Sequence, residues 1–101
     1  NGFSKDTDAT ALFCVDDFTA QRTMNFLAKK GVRVPQDMSI IGVNNYPFCE
    51  ETITPLSSIA IPWLEDGAAV GRQLLALIKN PDELIQTEST VSLVERFSTM
   101  Q

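Results

Sequence analysis

An α/β fold built on a mainly parallel sheet is what this sequence predicts, and three observations predict it. Short apolar runs of strand formers alternate with stretches of helical periodicity, in the order strand, helix, strand, loop, strand, helix, strand. The runs at residues 10–15 (TALFCV) and 38–43 (MSIIGV) are apolar almost throughout, as strands covered on both faces are. Each run ends in a polar pair, Asp16-Asp17 and Asn44-Asn45. In a parallel sheet both pairs then fall on one rim, beyond the strand C-terminal ends, where ligands of such folds sit.

The elements follow in order. Residues 1–9 are polar and unpatterned and read as a loop or frayed end. After the first strand, Phe18, Ala20, Met24, Phe26 and Leu27 supply an apolar stripe for a helix over 17–30. An aspartate suits its start as an N-cap, and Gly31 suits its end. The second strand, 38–43, breaks at Asn44-Asn45-Tyr46-Pro47, and a helical turn at Phe48 to Thr52 fits the loop beyond. Residues 57–61 make a third short strand. Pro62 then precedes the longest helix, about 64–79, with Ala68, Leu74, Leu75 and Ile78 among its apolar positions. Gly67 and Gly71 suggest close packing of that helix on the sheet. Residues 88–97 read as a last strand.

The chain has 101 residues, 44% of them apolar and 21% charged, enough for one compact core. Its net charge is −5, from 8 basic against 13 acidic residues, and no basic cluster exceeds Lys29, Lys30 and Arg33. That argues against this piece binding nucleic acid, since phosphate contacts need lysine and arginine. No run reaches the roughly 20 apolar residues that cross a bilayer, so no membrane role is expected. Two cysteines, Cys14 and Cys49, without a signal-peptide pattern fit reduced thiols and a cytoplasmic location. Histidine is absent. Serine–histidine–aspartate chemistry and histidine metal sites are therefore excluded, and neither a metal, a cofactor nor an enzyme activity is expected.

A few side chains could still carry chemistry. Asp16 and Asp17 could cap the helix, face a ligand, or divide those tasks, because adjacent side chains point apart; a Mg²⁺ site needs further carboxylates. Asn44 and Asn45 are ordinary turn residues, yet an amide both donates and accepts and so suits a polyhydroxylated ligand. Trp63 either packs in the core or offers a flat face to a sugar ring or a purine.

Four stretches resemble the lactose-repressor (LacI/GalR) family of bacterial regulators. ALFCVDDFTA, Ala11 to Ala20, is similar to that family's strand, polar-Asp pair and helix. GVRVPQDMSIIGVNN, Gly31 to Asn45, resembles its most specific signature, G-[LV]-x-V-P-x-D followed by a strand ending in Asp-[Asp/Asn]. TPLSSI, Thr54 to Ile59, resembles its T-P-P-L-T-T-[IV], and LVERFST, Leu93 to Thr99, its closing L-V-x-R-x-S-T. The resemblance runs from Thr10 to Thr99.

This resemblance implies a three-layer periplasmic-binding-protein-like domain of two hinged subdomains. Residues 1–101 would be the C-terminal part, with a DNA-binding head and the first subdomain upstream. The implied function is sensing of a small effector, first a sugar, by a transcription regulator; a sugar transporter's periplasmic binding protein shares the fold. Asp16, Asn44 and Trp63 stand at effector-binding positions and Asp17 at a structural cap. Family members dimerise through this region, which points to Gln21, Asn25, Phe48 and Ile53. Operator DNA would be met only through the upstream head. In this sequence the family's usual Asn and Asp are exchanged, Asp16 for Asn and Asn44 for Asp.

Overall fold

The computed structural model describes residues 8–100, so most of the loop expected at residues 1–9 lies outside the described residues. The chain forms two compact units: one runs through Ala60 and resumes at Ser92, and the other is Ile61–Val91. The first unit holds a four-stranded sheet of β1 (Ala11–Phe13), β2 (Ser39–Val43), β3 (Ser57–Ala60) and β4 (Ser92–Val94), in that spatial order. β1 and β2 pair in parallel, with Leu12 beside Ile40, and so do β2 and β3, with Gly42 beside Ser58. β4 pairs antiparallel with β3, Val94 beside Ser58. The sheet is therefore mixed and mostly parallel.

Helix α1 (Asp17–Lys29) forms because both of its ends are satisfied and one face is apolar. Asp16 precedes it with extended backbone, and its carboxylate accepts from the Thr19 N–H at 2.8 Å. At the other end Gly31 has φ 75°, the left-handed turn that a glycine makes without a Cβ clash. The Gly31 and Val32 N–H groups return to the carbonyls of Ala28 (3.1 Å) and Leu27 (2.9 Å), closing the helix. Between the ends Ala20, Met24 and Leu27, at helical spacing, are buried. They meet Ile40, Met38, Leu56 and Cys49, with Leu12 partly buried against them. Leu27 and Ile40 are fully buried, each contributing about 1.5–3 kcal/mol by leaving water.

Two strand expectations are corrected. β1 is an edge strand, not one covered on both faces: Leu12 turns toward the core, while Phe13 is 72% exposed. The last strand spans Ser92–Val94 rather than 88–97. Past Val94 the chain leaves the ladder because its polar side chains bridge other elements: Ser98 Oγ donates to the Ile40 carbonyl, and Arg96 Nη1 donates to the Leu56 carbonyl. A 3-10 turn at Phe97–Thr99 completes this exit.

The second unit contains α2 (Trp63–Lys79), preceded by Pro62 with Glu65 and Asp66 in its first turn. Asp66 Oδ2 accepts from Ser89 Oγ at 2.6 Å. No residue of α2 is buried, and Leu74, Leu75 and Ile78, read as packing positions, are exposed. A Cβ built on Gly67 or Gly71 would meet nothing within 4 Å.

Candidate ligand-binding rim

Asp16 and Asn44 follow β1 and β2 at the same end of two adjacent parallel strands, so the rim expected from the sequence exists. Asp16 sits at the N-terminus of α1, where Thr19's backbone N–H, then its side chain, then the Arg22 charge hold the carboxyl below its ordinary pKa. The cap uses Oδ1. A carboxylate offers about four lone-pair sites, so acceptor capacity remains for a ligand hydroxyl.

Asp17 does not cap the helix, although the family resemblance implied that it would. The cap belongs to Asp16, because the side chain one residue later has turned inward. Asp17 is fully buried. Its Oδ1 accepts from Ser58 Oγ at 2.6 Å and its Oδ2 from the Tyr46 N–H at 2.8 Å. Gly42 lies directly beneath: a Cβ there would run into Asp17 Oδ1 and approach Leu56 Cδ2 to 3.3 Å. Cys49 also borders this carboxylate. Burial first, then the Asp17 hydrogen bond and charge, push its thiol up to about 12. Asp17 is thus a structural anchor joining α1, β3 and the loop after β2.

The turn after β2 has unusual backbone. Asn44 has φ 109° and Asn45 φ 56°, both in the region L-residues seldom occupy. The Asn44 N–H donates to the Ile59 carbonyl at 2.8 Å, and the Asn45 N–H to Ser58 Oγ at 2.9 Å. Asn45 Oδ1 accepts from Arg96 Nη2 at 2.7 Å. Among the described residues the Asn44 amide takes no hydrogen bond. It is half-buried. Backbone of this kind concentrates where a side chain must be presented.

Trp63 opens α2 in the second unit and is 60% exposed. The four residues tied to assembly divide. Gln21, Asn25 and Ile53 line one groove of about 470 Å³, floored by Met24, Val32 and Val34. Phe48 instead joins an aromatic cluster with Phe18 and Tyr46, its ring 5.1 Å and 6.0 Å from theirs. Ser58 and Arg96 were missed as parts of this site. Only their place in the T-P-L-S-S and L-V-x-R motifs hinted at them.

The sequence matches the model of a periplasmic binding protein-like domain over residues 3–99. The chain belongs to that family. Within it the sequence is of the LacI type, the family named for a solved structure that is 36% identical to it. The ribose operon repressor of Haemophilus influenzae is 37% identical over 77% of this chain and 24% of its own length. A transcriptional repressor, PurR, of Vibrio cholerae is 36% identical over 76% of this chain and 23% of its own. A LacI family transcriptional regulator from Enterococcus faecalis, solved with bound ribose, superposes with TM-score 0.78 at 36% identity. That match covers 93% of this chain and 36% of the other. A transcription regulator from Lactobacillus plantarum gives TM-score 0.80 at 29% identity, over 94% and 37%. The chain therefore spans about a quarter of the length of these curated relatives. Among the described residues no helix is long and apolar enough to cross a membrane, and no group of three acidic, cysteine or histidine residues could hold a metal.

Proposed function

We propose that this chain is part of the effector-sensing domain of a bacterial transcription regulator, and that the effector is a sugar or a related small polyhydroxylated metabolite. The observation that carries this is Asn44, held at φ 109° with its amide unpartnered among the described residues, on the same rim as Asp16, the ionised cap of α1. An amide and a carboxylate, offering donors and acceptors, match sugar hydroxyls. A relative named as a ribose operon repressor and a neighbour with bound ribose support a sugar. The repressor names among the relatives favour a regulator over a transporter's binding protein.

In this reading Asp16 accepts hydroxyl hydrogen bonds and Asn44 donates and accepts; Trp63, in the second unit, is proposed by itself as a stacking face. Binding shifts the balance of two domain states and so changes operator affinity through an upstream DNA-binding head. The protein works in the cytoplasm, without catalysis or cofactor. It acts as a homodimer, with Gln21, Asn25 and Ile53 of the groove and Phe48 of the aromatic cluster at the contact.

Thermal-shift screening of sugars against the complete regulator tests the effector class, since a ligand of the native state raises its midpoint. Calorimetric titration then tests the residues. Asp16→Ser, which keeps a capping oxygen, should weaken binding roughly tenfold to a hundredfold, as loss of a charge-assisted bond does. It should leave operator binding without effector intact. Parent-like binding by Asp16→Ser, Asn44→Ala and Trp63→Ala together would remove the site assignment. A strictly monomeric complete protein in sedimentation at tens of micromolar would remove the dimer.

A further inference from the structure

The turn that presents Asn44 does not hold its own shape. Two successive non-glycine residues at φ 109° and 56° persist only when the surroundings over-determine them. Four hydrogen bonds do so here. Asn44 N–H reaches the Ile59 carbonyl, Asn45 N–H reaches Ser58 Oγ, and Tyr46 N–H reaches Asp17 Oδ2. The fourth comes from the far end of the chain: Arg96 Nη2 donates to Asn45 Oδ1 at 2.7 Å while its Nη1 donates to the Leu56 carbonyl at 2.7 Å. Arg96 is half-buried, and its own backbone is fixed, its N–H donating to Ser57 Oγ at 2.7 Å. One rigid guanidinium fork thus ties the turn after β2 to the entry of β3. A lysine has a single point of attachment and cannot reproduce both bonds in that geometry.

We propose that Arg96 is a positioning residue for effector recognition, holding Asn45 so that Asn44 stays in its left-handed conformation with the amide turned free for the ligand. Arg96 acts through Asn45, and among the described residues both of its guanidinium bonds are internal. The inference rests on Asn44 being an effector contact. It adds that effector affinity depends on a side chain beyond β4 that the effector does not touch. Without the fork the turn samples relaxed backbone, and apparent affinity falls in proportion to the competent fraction.

The experiment uses the complete regulator, with D-ribose and D-glucose as probes, and four variants: Arg96→Met, Arg96→Lys, Asn44→Ala and the double variant Arg96→Met with Asn44→Ala. Amide hydrogen exchange reads the turn and calorimetric titration reads binding. Arg96→Met should speed exchange of the Asn45 and Tyr46 amides by about tenfold or more, with the Ile41 amide unchanged. It should weaken sugar binding by about tenfold, as expected when the competent fraction drops to about a tenth. Arg96→Lys should restore neither. On the Asn44→Ala background, Arg96→Met should weaken binding no further, because the group it positions is gone. Unchanged exchange at Asn45, or equal weakening on both backgrounds, overturns the positioning role. If neither sugar binds the parent, or Asn44→Ala binds like the parent, the effector site itself is overturned, and the exchange measurement still shows separately whether Arg96 holds the turn.

Discussion

The Asp16-Asp17 turn and the Asn44-Asn45 turn lie side by side on one rim and divide their work in the same way. In each pair the first residue is half-buried and keeps hydrogen-bonding capacity: Asp16 spends Oδ1 on the α1 cap, and Asn44 spends only its backbone. In each pair the second residue is committed to the structure, Asp17 to Ser58 and Tyr46, Asn45 to Ser58 and Arg96. Ser58 serves both, donating to Asp17 Oδ1 and accepting from the Asn45 N–H. The difference between the turns is how each achieves its geometry. The first uses ordinary extended backbone at Asp16 with φ −157°, and the second uses left-handed backbone at two asparagines. A helix cap can be satisfied locally, within three residues. A left-handed turn has to be held by partners distant in sequence.

Substitutions at the anchors should separate the turns most strongly. Asp17→Ala strands the buried Ser58 hydroxyl and the Tyr46 N–H together, at about 1–3 kcal/mol for each unsatisfied group. Denaturant unfolding of the complete protein should show a loss of about 3 kcal/mol or more, with Asp17→Asn losing clearly less. A loss under about 1 kcal/mol for Asp17→Ala would mean the two turns are not joined through this carboxylate. Gly42→Ala comes next, since its Cβ must displace the Asp17 carboxylate in a packed core. Overpacking of this kind costs about 1–3 kcal/mol. That cost should shrink on an Asp17→Ala background, which links the two positions directly.

Asn44→Gly sharpens the comparison with the opposite sign. Glycine occupies positive φ without a Cβ penalty, so unfolding should show little change or a gain of up to about 1 kcal/mol, the relieved strain offset by unfolded-chain entropy. Effector binding should weaken at the same time. A stability loss would show that the Asn44 side chain supports the fold and is not simply displayed.

The last contrast is one of pH, between Asp16 on the first turn and Cys49 beside the Asp17 carboxylate, and the two differ in direction. Asp16 has its carboxyl pKa lowered in the folded protein. It stabilises fully above its unfolded pKa, and that contribution disappears as pH falls through the lower folded value. Cys49 is the reverse, its thiol raised from 9.0 to about 12. Its contribution is complete below pH 9 and is lost as pH rises from there toward 12, because only the unfolded thiol ionises in that interval. Stability measured between pH 8 and pH 11 should fall with a slope that Cys49→Ala reduces. A slope unchanged by that substitution would assign the alkaline loss elsewhere.

Much of the fold was legible because local chemistry decided it. The apolar runs ending at Val15 and Val43, the stripe of Ala20, Met24 and Leu27, and Gly31 after two lysines each carry their meaning within a few residues. The strands, α1 and its two ends follow from them. The limits of β1 and β4 were not legible. Whether Phe13 is covered depends on β1 being at the sheet edge, and where β4 stops depends on Arg96 and Ser98 finding partners dozens of residues away.

The sequence by itself determined that a carboxylate pair and an amide pair would follow two parallel strands on a shared rim, because strand polarity and spacing require it. It could not say which member of each pair would face outward. Asp16 and Asp17 are chemically identical; the residues left the cap open between them, and the family resemblance put it at Asp17. Only the tertiary structure gave the cap to Asp16 and buried Asp17 over Gly42, because a buried carboxylate needs donors and the hydroxyl of Ser58 and the amide of Tyr46 arrive only when β3 and the β2 turn pack against α1.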